Sequence, residues 1–144
     1  MAPFVVTADT SLSTDEAWAR ITDWRAHARF VPFTTIEVST PPPNGVGTVF
    51  TARTGGRRLG FDDPMAIVEW APPSDGGPGR CRLEKRGPVM LGWAELSVEP
   101  VGTGARATWR DEARPAKLPR FTDGASAASG RLLFGRVLRK LLVA

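Results

Sequence analysis

The spacing of hydrophobic positions changes twice along the chain, and each change marks a different kind of element. Phe4-Val5-Val6-Thr7-Ala8 is a short β-prone run that ends in polar residues. Ser13-Thr14-Asp15-Glu16 then offers a capping box, with Ser13 as N-cap and Glu16 three residues on. The helix it opens runs to about Asp23. Ala17, Trp18 and Ile21 recur at three- and four-residue spacing and predict one buried face, with Arg20 turned away. A second short helix, about Arg25 to Arg29, stops at Phe30-Val31-Pro32.

From Phe33 to about Arg114 the period is two. Phe33 to Thr40 alternates and ends at Pro41-Pro42-Pro43 and Asn44-Gly45, a loop signal. Val46 to Arg53 is the next strand, and Gly55-Gly56 turns it back into Arg57 to Trp70. That run is long for a regular strand, and Asp62-Asp63-Pro64 predicts a bulge or sharp bend within it. After the Pro72 to Gly79 loop come Arg80 to Arg86, a turn at Gly87-Pro88, Val89 to Val98, and Ala105 to Arg114 beyond a Gly102 to Gly104 turn.

The last segment returns to a helical period. At about 100° per residue, Leu133, Phe134, Val137, Leu138 and Leu141 fall on one arc, opposite Arg131, Arg136, Arg139 and Lys140. The order is one strand, two short helices, a six-strand antiparallel meander and a long C-terminal helix. That order predicts an α+β sandwich in which the helix covers one face of a curved sheet. No repeat or low-complexity linker interrupts it, so residues 1–144 are expected to form a single domain.

Composition narrows the chemistry. The single Cys81 rules out an intrachain disulfide and a cysteine-cluster metal site, and the single His27 rules out a two-histidine site. No glycine-flanked serine elbow, dinucleotide fingerprint or phosphate loop is present, so an enzyme built on this chain is expected to need no metal or nucleotide cofactor. The net charge is +4, and of 19 basic side chains only Lys85, Lys117 and Lys140 are lysines. The arginines are scattered rather than gathered on one groove-reading element, which disfavours nucleic acid as a partner. No apolar run approaches the roughly 20 residues of a membrane span. The start, Met1 to Val6, lacks the basic flank and long apolar core of a signal peptide, and the expected location is the cytoplasm.

Strand alternation sorts the remaining candidates. Ala105, Ala107, Trp109, Asp111 and Ala113 share one face and must point inward. This puts the Asp111 carboxylate on the apolar side. Either it lies wet or paired near the strand end, or it is a polar anchor or general acid/base in a pocket. Met90, Gly92, Ala94, Leu96 and Val98 form the inward set of the preceding strand, with Cys81 and Leu83 one strand earlier. Trp93 then points outward beside Glu95, packed under a neighbouring side chain. Cys81, with only Lys85 as a possible cation on its face, reads as a buried, inert thiol. His27 reads as a surface or capping residue, Asp62 and Asp63 as turn residues, and Phe30, Phe33 and Phe50 as core or pocket aromatics.

Several local patterns resemble those of one superfamily. They are Asp23-Trp24 opening a short helix that ends at Phe30-Val31-Pro32, Phe61-Asp62-Asp63-Pro64-Met65 leading to Glu69-Trp70-x-Pro72-Pro73, and Gly92-Trp93-Ala94-Glu95 followed by Thr108-Trp109-Arg110. Together they resemble the polyketide cyclase/dehydrase-like branch of the START and Bet v 1 (SRPBCC) superfamily over nearly the whole chain. The resemblance implies a helix-grip fold, a curved seven-stranded antiparallel sheet around the C-terminal helix with a cavity for an apolar ligand between them. It carries over no catalytic residue set, and its functions range from lipid or hormone carriage to aromatase and cyclase chemistry.

The expected function is binding or carriage of a hydrophobic or aromatic small molecule, lipid or polyketide-like. Two alternatives stay open: a cofactor-free cyclase or aromatase using Asp111 or an arginine, and a basic binder of lipid surfaces or nucleic acid through Arg131, Arg136, Arg139 and Lys140. The helix itself suggests where a cavity would lie. Its inward arc is small at Ser126, Ala127 and Gly130 and bulky from Leu133 onward. Either large side chains reach across to fill that vacancy, or it is a ligand cavity bounded by Phe50, Met90, Trp109 and Asp111 opposite Ser126, Gly130 and Phe134. Asp123 or Thr122 is the expected N-cap.

Overall fold

Each turn signal of the meander returns the chain beside the strand it has just left. Only the first strand travels further, crossing to the far edge to pair with the last. The computed structural model describes residues 3–56, 60–116 and 123–143, except for the side chains of 123–127. The elements are β1 (Phe4–Thr10), α1 (Thr14–Ile21), α2 (Trp24–His27) followed by a 3₁₀ turn (Ala28–Phe30), β2 (Thr34–Val38), β3 (Val49–Thr54), β4 (Phe61–Ala71), β5 (Gly79–Lys85), β6 (Met90–Val101), β7 (Gly104–Pro115) and α3 (Asp123–Leu141). All seven strands form one antiparallel sheet in the order β1-β7-β6-β5-β4-β3-β2, and β1 pairs β7 from Phe4↔Asp111 to Thr10↔Ala105. The sheet curls around the C-terminal helix, which is the helix-grip α+β architecture. The expected N-cap at Thr122 or Asp123 and the side chain of Ser126 lie outside the described residues. No helix among the described residues is long and apolar enough to cross a membrane.

Side chains close the helix ends that the backbone leaves open. Ser13 Oγ accepts from Glu16 N at 3.2 Å, the donor half of the capping box. At the α1–α2 corner, Thr22 Oγ1 donates to Trp18 O at 2.7 Å and Asn44 Nδ2 to Thr22 O at 3.2 Å, while Trp24 Nε1 holds Asn44 Oδ1. Arg20, on the solvent side of α1, donates to Leu141 O and Val143 O and so caps α3 with a positive charge. α3 lies against β1 and β7, α1 against β6 and β7, and α2 against β2. Ile21, Ile67, Leu96, Val98, Val137 and Leu138 are fully buried between these layers.

The expected bulge at Asp62-Asp63-Pro64 is not there. β4 begins at Phe61, and these residues pair with β3 without a break. Pro64 O accepts from Arg86 N at 2.8 Å, so the donor that proline lacks faces the side where β5 has just ended at Lys85. The irregularity lies between Ile67 and Glu69, where Val68 is the extra residue. It switches the alternation so that Trp70, opposite Cys81, faces inward against Trp18 at 5.0 Å between ring centroids, while Glu69 faces out to Arg80 at 2.7 Å.

Gly92 has φ +126°, and a Cβ added there would overlap the Glu112 carbonyl oxygen. Gly102, at φ +58°, has open space where a Cβ would go. Gly92→Ala is therefore expected to cost at least about 2 kcal/mol, and Gly102→Ala only about 1. Thermal melts should show the first losing about 5 °C or more, and equal losses in both would show that backbone conformation alone sets the cost.

Candidate functional site

A cavity of about 300 Å³ lies between the inner face of the sheet and helices α2 and α3. Alternation decides which side chains line it. β3 contributes Phe50 and Ala52, β4 Phe61, Asp63 and Met65, β5 Leu83 and Lys85, β6 Met90, Ala94 and Leu96, and β7 Trp109, Asp111 and Ala113. Trp24 and His27 of α2, Val31, and Leu133 and Phe134 of α3 close the other side. The aromatic rings form a chain across it. Phe50 stacks on Trp24 at 4.6 Å, Trp24 meets His27 at 5.8 Å, His27 meets Trp109 at 5.3 Å, and Trp109 meets Phe134 at 4.6 Å.

Three ionisable groups share one wall of this apolar space. Lys85 Nζ donates to Asp63 Oδ2 at 2.6 Å and approaches Met65 Sδ at 3.5 Å, with both partners of the ion pair about nine-tenths buried. Asp111 is 3% exposed, and its Oδ2 accepts from Trp109 Nε1 at 3.1 Å. The second oxygen of each carboxylate, Asp63 Oδ1 and Asp111 Oδ1, is buried without a hydrogen-bond partner in the protein. Burial pushes the Asp111 carboxyl up to about 6, against the pull of Lys85 and the Trp109 hydrogen bond, and Asp63 pushes it further.

His27 is buried as well, and its Nε2 lies 2.7 Å from Ile21 O, the last carbonyl of α1. A carbonyl can only accept, so Nε2 carries the proton and Nδ1 is free to accept in the neutral ring. Burial holds its pKa below the ordinary histidine value. The capping role expected of His27 holds. The surface placement does not, because α2 turns its ring onto Trp109.

Of the predicted site residues, Phe50, Met90, Trp109, Asp111 and Phe134 line the one cavity. Gly130 does not. A Cβ at Gly130 would come within 2.6 Å of Phe4 Cε1, so this glycine lets α3 approach β1 closely and the space beside it is filled by the Phe4 ring. Ser126 cannot be assigned to the cavity, since its side chain is outside the described residues. One residue that matters here differs from its sequence reading: Asp63 stands on the inner face with Phe61 and Met65, not in a turn. Lys85 is on the face it was expected to share with Cys81 and Leu83. Strand parity was the signal for both. Asp62 points out to Arg53 at 3.2 Å, Phe33 is exposed, and Trp93 lies under the Arg82 guanidinium at 4.5 Å with its Nε1 on Glu112. Cys81 is buried and its thiol is pushed up to about 12 by desolvation, which leaves it inert. No group of three His, Cys, Asp or Glu among the described residues is placed to hold a metal ion.

No family model matches the chain, and no curated protein sequence matches it. Solved structures do. The chain superposes on TTHA0849 from Thermus thermophilus with a TM-score of 0.68 at 14% identity, covering 98% of this chain and 92% of that one. Ara h 8.0201, a Bet v 1-like protein, gives 0.62 at 11% identity over 98% and 97% of the two chains. Zhui aromatase/cyclase from Streptomyces sp. R1128 gives 0.58 at 10% identity over 97% and 86%. Identities this low speak for the fold alone. With the strand order and the curled sheet, they establish that the chain has the helix-grip fold, the one seen in Ara h 8.0201 and in the Zhui aromatase/cyclase.

Proposed function

We propose that this chain binds and carries a small hydrophobic or aromatic molecule in the cavity between its sheet and helices α2 and α3. The observation that carries the reading is the cavity itself, a partly enclosed space of about 300 Å³ lined chiefly by apolar and aromatic side chains with a few polar groups on one wall. A dry apolar cavity of about 150 Å³ takes up benzene. Twice that volume suits a fused bicyclic ring, or one ring with a short chain. Packed interiors tolerate few voids of this size, and burial of a ligand's apolar surface supplies the driving force.

Asp111 favours a second reading, a cyclase or aromatase that needs no metal or nucleotide. A carboxyl poised near pH 6 at the edge of an apolar pocket can give or take a proton close to neutral pH. The Trp109 hydrogen bond fixes its orientation. In this reading the cavity walls fold a bound chain and Asp111 moves protons at its reacting carbons.

Trp24 and Trp109 line the cavity, so the protein's own fluorescence reports occupancy. A neutral probe, 1-naphthylmethanol, is expected to quench it saturably at one molecule per chain. Ala52→Leu adds bulk to the lining and should weaken that binding at least tenfold in a folded protein. Unsaturable quenching, or equal affinity in the folded variant, would sink the cavity reading.

A second expectation concerns pH. The folded-state value of about 6 for Asp111 lies above the ordinary 3.8, so the folded chain keeps a proton that the unfolded chain loses between those values. Stability is therefore lost as pH rises through this window, by about 3 kcal/mol at full ionisation. His27 acts in the opposite sense, because a depressed histidine removes stability as pH falls below its unfolded value. Comparison with Asp111→Asn cancels the His27 contribution. Urea unfolding should show the variant gaining about 2.5 kcal/mol relative to the parent between pH 4 and pH 7.5. A constant difference across that range would contradict the perturbed carboxyl.

A further inference from the structure

Asp63 and Asp111 each use one oxygen, on Lys85 and on Trp109 Nε1, and each keeps the other oxygen buried without a partner in the protein. Both residues line the cavity, so a donor that reaches either free oxygen would meet an unpaired acceptor. The strong donor beside them, Lys85, is held by Asp63 Oδ2 and Met65 Sδ. With Asp111 ionised, two carboxylates face one ammonium, and the wall carries a net negative charge in a space that is otherwise apolar. An uncompensated charge in such surroundings draws an opposite charge strongly.

From this geometry we infer that the cavity selects an organic cation, an aromatic amine in its ammonium form, with the ammonium between the free oxygens of Asp63 and Asp111 and the ring among Phe50, Trp109 and Phe134. The inference rests on the cavity reading proposed above and names the class of ligand. An ammonium brings three donors to two waiting acceptors and balances the charge. A neutral alcohol brings a single donor and no charge. A carboxylate would face two like charges and is rejected. The aromatic lining adds attraction for a cation beside ring faces, as well as burial for the ligand's own ring.

A cation next to Asp111 stabilises its ionised form, so amine binding expels the proton that the empty cavity holds at low pH. The groups facing Asp111 are Asp63 from β4 and Lys85 from β5, with His27 of α2 across Trp109, while α3 presents only Leu133 and Phe134 among its described side chains. Burial holds His27 below its ordinary value, which favours its neutral form. The amine's advantage should accordingly fade as pH drops through about 6.

Three ligands with one ring system separate the outcomes: 1-naphthylmethylamine, 1-naphthylmethanol and 1-naphthoate, titrated by calorimetry against the full chain between pH 5 and pH 7.5. At pH 7.5 the amine is expected to bind at least tenfold more tightly than the alcohol, with naphthoate weakest, and the advantage should shrink severalfold by pH 5. In Asp111→Asn the amine and the alcohol should bind within threefold of one another. Saturable binding of the alcohol with no amine advantage would overturn this inference and leave the cavity reading standing. Failure of all three to saturate would overturn both. Should Asp111→Asn not fold, the pH series on the parent protein decides, and an amine advantage that is constant from pH 5 to pH 7.5 would overturn the inference.

Discussion

A seven-stranded sheet has more inner surface than one helix can cover. Strands stand about 4.8 Å apart, so seven of them span roughly 29 Å if laid flat, whereas a helix with its side chains is about 10–12 Å across. Curling narrows the sheet but does not remove the difference. α3 takes β1 and β7, α1 takes β6 and β7, and α2 takes β2. Among the described residues, the helices reach β3 and β4 through long side chains, Trp24 of α2 on Phe50 and Trp18 of α1 on Trp70. Trp24 stacked on Phe50 and Trp109 against Phe134 bridge part of that span. What they leave open is the cavity.

The same constraint accounts for the ionisable groups. A surface that the helices do not seal can hold charges that a packed core would expel, provided they have partners. Lys85 and Asp63 hold each other at 2.6 Å where neither would be tolerated alone. Asp111 has only an indole donor and a more distant ammonium, so it meets burial partly by holding its proton. His27 meets it by staying neutral and spending its one N–H on the end of α1. Each is a different answer to the same low dielectric, and each is destabilising relative to an apolar residue of similar shape. Four such groups thus stand around one cavity, an ion pair, a carboxyl and a histidine, each held by a different compensation.

The fold was legible because its signals are local and periodic. Ser13 with Glu16, the Gly and Pro turns, and the 3.6-residue arc from Leu133 to Leu141 each specify an element without reference to the rest of the chain. Parity also reached Asp111 correctly, since β7 alternates without interruption from Ala105 to Ala113. The site was less legible for two physical reasons. Asp62-Asp63-Pro64 has the composition of a turn, and only its unbroken pairing with β3 shows that Asp63 keeps strand parity. The small residues of α3 admit two explanations that differ only in what lies opposite. At Gly130 the answer was Phe4, more than a hundred residues away, and no spacing along the chain reports that contact. His27 was hidden similarly. Its burial depends on where α2 docks, a tertiary fact carried by Trp24, Asn44 and Thr22 together.

Trp109 joins these parts into one unit. Its indole N–H fixes Asp111, its ring meets His27 from α2 and Phe134 from α3, and its strand pairs with β1 at Val6. The carboxyl, the histidine and the C-terminal helix thus meet on a single side chain. A ligand that displaces the Trp109 ring must therefore move the group that orients Asp111 and the surface on which α3 rests. The far end of α3 is tied to α1 by Arg20 and to β1 by Thr10. Nearer its front, Gly130 lies against Phe4, whose ring stacks on Phe134, so the contacts that seat the helix on β1 are continuous with those around Trp109.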